Sequence, residues 1–265
     1  PLRLLDFDKR IKPPEECGCG FKHDKTLKAV LFDSLRNALN RLEDFELNPP
    51  YVVFSDEITY EVAGKTVQEE LDAALLIVRS PTFKEAEEKA SEVANAKTLI
   101  AVGGGTVIDV AKYAAYLTDA DFVSIPTAPS HDGIVSPITS LFTEDRRKSI
   151  LTRAPKLAII DLSVLSSVPG ELIASGYGDV LAKIVSLKDW QLGRDELGEP
   201  YCETAEKLIL EALELVINSL TAGGDEEKPV ARLIEALIYC GAAMMIVGSS
   251  RPASGSEHLI SHYLD

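Results

Sequence analysis

Cysteine is scarce in this chain. Four residues in 265, Cys17, Cys19, Cys202 and Cys240, are too few and too scattered for a disulfide framework. Cys17-Gly18-Cys19 with His23 offers three metal-type side chains, one short of the four that a closed zinc site takes, so the segment reads as reduced thiols in an N-terminal loop. Basic residues are also in deficit, with 27 Lys plus Arg against 42 Asp plus Glu and a formal charge of −15. That balance excludes a nonspecific binder of nucleic acid or of an anionic membrane, because phosphate surfaces need a basic face. An anionic ligand must then be captured by a local site. No apolar run in the sequence reaches the roughly 18 residues of a membrane span, and the opening Pro1 to Lys12 lacks the basic-then-apolar order of a secretory signal, so a cytoplasmic protein without an integral membrane segment is expected. Internal repeats and low-complexity tracts are absent too.

What the chain has is the composition of a packed globular protein: 46% hydrophobic and 26% charged residues, with 17 Gly and 14 Pro. Its length suits one large or two ordinary domains. Residues 1 to 24 carry no sustained period and read as an extended arm. From Thr26 to Phe45 the apolar residues Leu27, Val30, Leu31, Leu35, Ala38, Leu39 and Leu42 recur at helical intervals, which predicts a helix. Short apolar runs at Tyr51–Phe54, Leu75–Val78, Thr98–Val102, Phe122–Pro126 and Leu157–Asp161 predict strands. The intervening helical stretch Phe83–Ala94 implies βαβ units on a parallel sheet. Beyond about residue 164 the texture is helical, with long periods at Ala205–Leu220 and Pro229–Val247. The expected fold is therefore α/β: a Rossmann-like parallel-sheet domain over residues 1–163, then an all-helical domain over 164–265, hinged near Asp161 to Pro169.

The most specific local pattern is a strand, Thr98 to Val102, running straight into Gly103-Gly104-Gly105-Thr106-Val107 and a helix. Glycines let the backbone approach a pyrophosphate, and the unpaired N–H groups and dipole of the helix start favour the anion. The spacing matches neither G-x-G-x-x-G nor the P-loop. A tight turn in which Thr106 caps the helix and Asp109 completes a capping-box-like pairing accounts for the same residues, and the two readings are compatible.

Taken with Pro126-Thr127-Ala128-Pro129-Ser130-His131-Asp132-Gly133-Ile134-Val135-Ser136-Pro137, with Ala174-Ser175-Gly176-Tyr177-Gly178-Asp179, and with Ser254-Gly255-Ser256-Glu257-His258-Leu259-Ile260-Ser261-His262, the chain resembles the sn-glycerol-1-phosphate dehydrogenases. These belong to the superfamily of iron-containing alcohol dehydrogenases, glycerol dehydrogenases and 3-dehydroquinate synthases. The resemblance runs from about residue 51 to the last residue. It implies an NAD- or NADP-binding α/β half, a helical half, a divalent metal in the cleft between them (zinc first, nickel or iron as alternatives) and a homo-oligomeric assembly. The implied reaction is reversible reduction of dihydroxyacetone phosphate, a phosphorylated triose, to sn-glycerol 1-phosphate.

By that resemblance the cofactor pyrophosphate lies on Gly103, Gly104, Gly105, Thr106 and Val107, and further cofactor contacts fall on Thr127, Ala128, Pro129, Ser130 and Ser136. Asp56, after the strand Tyr51–Phe54, sits where an adenosine ribose is read, and an acid there disfavours a 2′-phosphate. Asp179 and His258 are implied metal ligands. Asp179 follows a Gly-Tyr-Gly turn that would present it at a helix start, where a carboxylate also suits the helix dipole. A third ligand, a further histidine, is expected beyond Asp265, so the helical domain reads as incomplete at its C-terminus. Asp132, Asp179 and His262 are the implied catalytic and substrate-binding residues. His258 and His262, four apart, share a helix face, which leaves His262 open as a substitute ligand. Asp132 also fits an Asx turn with Gly133. The final proton is expected through water or a nearby side chain, with His262 and His131 as the candidates. Lys183 and Arg251 are the candidate cations for the substrate phosphate, and each reads equally as a solvated helix residue.

Two other functions remain open on this sequence. One is another activity of the superfamily, a glycerol dehydrogenase or a cyclase resembling 3-dehydroquinate synthase. The other is a noncatalytic dinucleotide-binding protein.

Overall fold

A computed structural model describes residues 3–5, 17–221 and 229–264, with residues 3–5, 262 and 264 defined by their backbone course alone. Strands β1 (Arg3–Leu5), β2 (Ala29–Phe32), β3 (Tyr51–Ser55), β4 (Ala74–Ile77), β5 (Thr98–Gly103), β6 (Asp121–Pro126) and β9 (Leu157–Ile160) form a seven-stranded sheet in the order β1-β2-β9-β6-β5-β3-β4. All neighbours are parallel except β1, which runs antiparallel to β2. A separate two-stranded hairpin pairs β7 (Ile138–Phe142) with β8 (Arg147–Leu151).

Parallel strands buried on both faces read as continuous apolar runs, and β5 is buried from end to end. Alternate residues serve the two faces. Val53, Ile100, Val102, Val123, Ile125 and Ile159 pack toward α1 (Leu35–Leu39) and α3 (Lys65–Leu71). The latter is reached from the short α2 (Glu57–Thr59) through a π turn at Tyr60–Gly64. Val52, Phe54, Leu99, Ala101, Phe122 and Ala158 pack on the other face with α4 (Phe83–Glu92) and α5 (Gly105–Thr118). Fully burying each such side chain contributes about 1.5–3 kcal/mol, so the layers cohere through many modest terms.

After β9 the described chain is helical: α6 (Leu162–Leu165), α7 (Gly170–Leu197), α8 (Glu203–Thr221), α9 (Pro229–Val247) and α10 (Ser256–Leu264). The apolar faces of α6 to α9 join the same core cluster as α5, whereas Leu259, Ile260 and Tyr263 of α10 are exposed. α9 is long and apolar enough to cross a membrane by length and composition, a stretch that the sequence reading passed over. It is the core helix here, buried without interruption from Leu233 to Val247.

The α/β-then-helical architecture is as expected, with three local corrections. The helix expected over Thr26–Phe45 is strand β2 followed by the short α1. Ala29 to Phe32 bond to Leu157 to Ile160 of β9, and the sheet edge outweighs a helical spacing. The arm is not structureless throughout, since Arg3 to Leu5 form β1. The charged segment Thr143 to Lys148, which reads as a turn, is one as far as Arg146, but it joins two strands that the pattern does not predict, β7 and β8, whose residues lack the apolar continuity of the sheet.

Candidate active site

The C-terminal ends of parallel strands are where α/β proteins place ligands, because the loops there open onto helix N-termini. β5 ends at Gly103 and α5 begins at Gly105, with Gly104 as its N-cap in extended backbone (φ −82°, ψ −168°). The three glycines differ in what surrounds them. A Cβ on Gly103 would meet Val107 at 2.6 Å, and one on Gly105 would overlap the His131 ring, whereas one on Gly104 would have nothing within 4 Å. Gly103 and Gly105 are thus required for packing, and the space beside Gly104 is open. The capping role expected of Thr106 and Asp109 is not what the fold shows: no side chain bonds the α5 N-terminus, and Asp109 instead pairs with Lys112 and accepts from the Ser140 N–H.

Beside this loop, Thr127 donates its N–H to the Gly103 carbonyl, and both Thr127 and Ala128 are buried. Pro129 turns its carbonyl onto Gly176 of α7, where any Cβ would overlap that oxygen. The glycines near Asp179 therefore do not form a turn. Asp179 lies well inside the continuous helix α7, and Gly176 is there because the loop after β6 presses directly on the helix backbone. The dipole argument for Asp179 lapses with the turn.

The segment Ser130 to Ser136, including a 3-10 turn at Asp132–Ile134, is the centre of the site. His131 Nδ1 accepts from the Gly133 N–H at 2.9 Å, which makes Nε2, facing Gly105, the protonated nitrogen. Ser136 Oγ accepts from Ile138 N–H at 2.9 Å. Two buried lysines hold the turn from opposite sides. Lys112 of α5 donates to the Gly133 and Ile138 carbonyls at 3.0 and 2.8 Å and to Asp109 Oδ1 at 3.1 Å. Lys183 of α7 lies 2.8 Å from both Asp132 Oδ2 and Asp179 Oδ1, while the Asp132 N–H donates to Asp179 Oδ2 at 3.0 Å.

Lys183 is therefore neither a solvated residue nor a cation available to a substrate phosphate. Its side chain is 0% exposed, and although burial opposes the charge, the Asp132 and Asp179 carboxylates keep it protonated well above the ordinary lysine range. Burial raises the Asp132 carboxyl, but the adjacent ammonium outweighs it and holds the group below the usual carboxylate range. For Asp179, burial and then the Asp132 charge prevail, and its pKa is raised. Two carboxylates around one ammonium leave an excess negative charge at the cavity wall. Arg251 is occupied as well, forked onto Glu199 at 2.7 and 2.6 Å.

On α10, His258 Nδ1 meets Glu257 Oε1 at 2.8 Å, the same oxygen that accepts from Ser186 Oγ and the Gly255 N–H. Glu257 Oε2 is buried with no hydrogen-bond partner. A carboxylate behind one ring nitrogen is the arrangement by which metal-ligating histidines are oriented. The side chain of His262 lies outside the described residues.

A cavity of about 660 Å³ brings most of these residues together. Its lining includes Gly105 and Thr106 of the loop, Ser130, His131, Asp132 and Ser136 of the central segment, and Asp179 and His258 of the helical half. The sequence pattern did not foresee Asp109, Arg147 of β8 or Glu257, which also line it. Asp56 stands apart from this lining. It follows β3, the neighbour of β5, and its Oδ1 accepts from the Ile58 and Thr59 N–H groups in a capping box that starts α2.

The family model for iron-containing alcohol dehydrogenases matches residues 29–169. A glycerol-1-phosphate dehydrogenase [NAD(P)+] from Pyrococcus abyssi is 37% identical over 254 residues, covering 92% of this chain and 72% of its own. Its namesake from Bacillus licheniformis is 33% identical over 281 residues, covering 99% and 69%. Among solved structures, glycerol dehydrogenase from Schizosaccharomyces pombe superposes with a TM-score of 0.72 at 17% identity, over 86% of this chain and 62% of that one. Sulfoacetaldehyde reductase from Bifidobacterium kashiwanohense, solved with NAD+, gives 0.71 at 18% identity, over 92% and 70%. The structural likenesses speak for the fold alone. This chain belongs to the iron-containing alcohol dehydrogenase family, and it spans about 70% of the length of the two glycerol-1-phosphate dehydrogenases.

Proposed function

We propose that this chain is an NAD(P)H-dependent oxidoreductase that reduces dihydroxyacetone phosphate to sn-glycerol 1-phosphate, reversibly, a reading supported by its 37% and 33% identity to proteins named glycerol-1-phosphate dehydrogenase. One observation carries the reading: a single cavity is lined by the glycine loop on one side and by Asp132, Asp179 and His258 on the other. The loop, with the open space at Gly104 and the uncapped N–H groups of α5, takes the cofactor pyrophosphate. Ser130 and Ser136 line the cavity toward its centre, and Thr127 to Pro129 lead from the end of β6 to Ser130.

Asp179 and His258 fit a divalent cation as two of the three N/O donors that an open site takes. The pairing of two buried carboxylates with a single ammonium and the imidazole set against Glu257 support them. Zinc suits such donors, and when bound it supplies a Lewis acid for the ketone. Asp132, fixed by Lys183, accepts from a substrate hydroxyl. His131 donates from Nε2 against the loop. Arg147, its guanidinium 5.2 Å from the centroid of the Phe142 ring, puts positive charge in the wall where an otherwise acidic protein has to hold a phosphate. His262 contacts substrate or passes the final proton.

Asp56 supports NADH over NADPH, since an acid at the end of β3 repels a 2′-phosphate. A kcat/KM clearly higher with NADPH would contradict that preference. The activity itself is tested by comparing NADH oxidation with dihydroxyacetone phosphate and with dihydroxyacetone after incubation with zinc. Turnover confined to the phosphorylated ketone supports the proposal, and turnover of dihydroxyacetone alone would make the chain a glycerol dehydrogenase. Cofactor binding without turnover of either, in a chain carrying its full complement of metal, would favour a dinucleotide-binding role.

A further inference from the structure

A second cluster of metal-type ligands lies away from the cavity. Cys17, Cys19 and His23 from the N-terminal segment meet Cys202, the residue before α8, so that the three sulfurs and one ring nitrogen all lie within 4.8 Å of one another. The fourth partner, missing from the local Cys-Gly-Cys pattern, comes from 179 positions beyond His23. Cys17 Sγ is 4.0 Å from Cys202 Sγ, Cys202 Sγ is 3.9 Å from His23 Nε2, and Cys19 Sγ is 2.9 Å from His23 Nε2. Zinc–sulfur and zinc–nitrogen bonds of about 2.3 and 2.0–2.1 Å give tetrahedral edges of about 3.8 Å between sulfurs and 3.6 Å between sulfur and nitrogen. The observed separations bracket those edges and are far too long for a disulfide, and all the cysteines are free. None of the cavity's lining residues belongs to the cluster.

The surroundings are those of a fixed site. Gly20, between Cys19 and His23, takes φ +80°, the left-handed backbone that turns the segment back on itself. Phe21 packs on Trp190 of α7 with ring centroids 6.3 Å apart, Trp190 lies tilted against Tyr201 with centroids 4.3 Å apart, and its indole N–H donates to the Pro200 carbonyl. Cys202 is fully buried. Three soft thiolates and an imidazole with no open position select zinc in a closed structural site, in contrast to N/O donors facing a cavity.

We infer that Cys17, Cys19, His23 and Cys202 bind a structural zinc ion that fastens the N-terminal segment to the α7–α8 junction. Cobalt substitution tests this without any variant. In the Co(II)-loaded chain, thiolate coordination gives, beside tetrahedral ligand-field bands, intense sulfur-to-cobalt charge transfer, which Asp179 and His258 cannot produce. The expected result is that spectrum with about one equivalent of cobalt. It persists in Asp179→Asn, and in Cys202→Ser it is lost together with one equivalent of metal. Native alkylation mapped by mass spectrometry covers the case in which Cys202→Ser does not fold: zinc is expected to protect Cys17 and Cys19, and a chelator to expose them. A Co(II) chain without sulfur charge transfer would overturn the inference, as would Cys17 and Cys19 alkylated equally with and without zinc, or a Cys17–Cys202 disulfide in the purified protein.

Discussion

Lys112 and Lys183 reach the same short turn from the two halves of the molecule, and both are fully buried. Lys112 is surrounded by two carbonyls and one carboxylate oxygen, and the other oxygen of that Asp109 is satisfied by the Ser140 N–H. Every donor has a partner and the arrangement is closed. Lys183 sits instead between two carboxylates, one pulled below its ordinary pKa and one pushed above it, and both line the cavity. One lysine finishes a core; the other leaves charge unbalanced where a ligand arrives. Unbalanced buried charge costs stability, which a binding site tolerates because the ligand relieves it.

The largest expected effect falls on the unbalanced side. Asp179→Asn should lower turnover by roughly a hundredfold to a thousandfold, the scale set by losing transition-state charge stabilisation, and should lower bound zinc. It should leave the melting temperature of the metal-free chain no lower at neutral pH. The sign follows from the raised pKa of Asp179. Such a group contributes stability below the ordinary carboxyl value of 3.8 and loses that contribution as pH rises through its own higher value, so ionised Asp179 burdens the metal-free fold. A marked loss of metal-free stability would show that the carboxylate is there for the fold.

Lys183→Met should destabilise the chain by about 3–5 kcal/mol at pH 7, because two buried carboxylates lose their only shared cation. The deficit should shrink on acidification, since Asp132, no longer held down by the ammonium, then protonates more readily. Urea titrations at pH 7 and pH 5 read both effects, and a deficit independent of pH would refute the charge account. Lys112→Met should cost less, about 3 kcal/mol, because a single carboxylate is left with one oxygen still bonded. A larger loss than for Lys183→Met would reverse the comparison. The smallest effect is expected at Gly104→Val. Titration with NADH should show affinity lower by about tenfold, or 1.4 kcal/mol, with a nearly unchanged melting temperature, because a Cβ at this position has no protein atom within 4 Å.

Legibility in the sequence followed burial. β3, β5, β6 and β9 are buried between two layers of helices, so their apolar runs have no polar alternation to obscure them. β2 was hidden because only Asp33 and Ser34 separate it from α1, and the apolar positions of strand and helix concatenate into a false helical period. In the hairpin, β7 alternates buried and half-exposed residues, β8 has no buried residue, and the pair carries Ser, Thr, Lys and Arg, which resembles loop. At the site, the glycine loop, Asp132, Asp179 and His258 could be named because their motifs are local. The burial of Lys183 could not, since lysine is almost always solvated and the decisive partner, Asp132, is remote in sequence. Cys202 escaped for the same reason: no spacing rule reaches from one end of the chain to the start of α8.

The contact between Gly176 and the Pro129 carbonyl puts backbone against backbone, with no side chain between loop and helix. Side chains adjust by hopping among rotamers; main chain in a long helix does not. The spacing from the loop that leads out of β6 to Asp179, less than one helical turn past Gly176, is therefore metered by rigid parts. A residue of any size at 176 would act as a shim, widening the gap between that loop and the helix that carries Asp179, and among the described glycines the strictest tolerance is kept here.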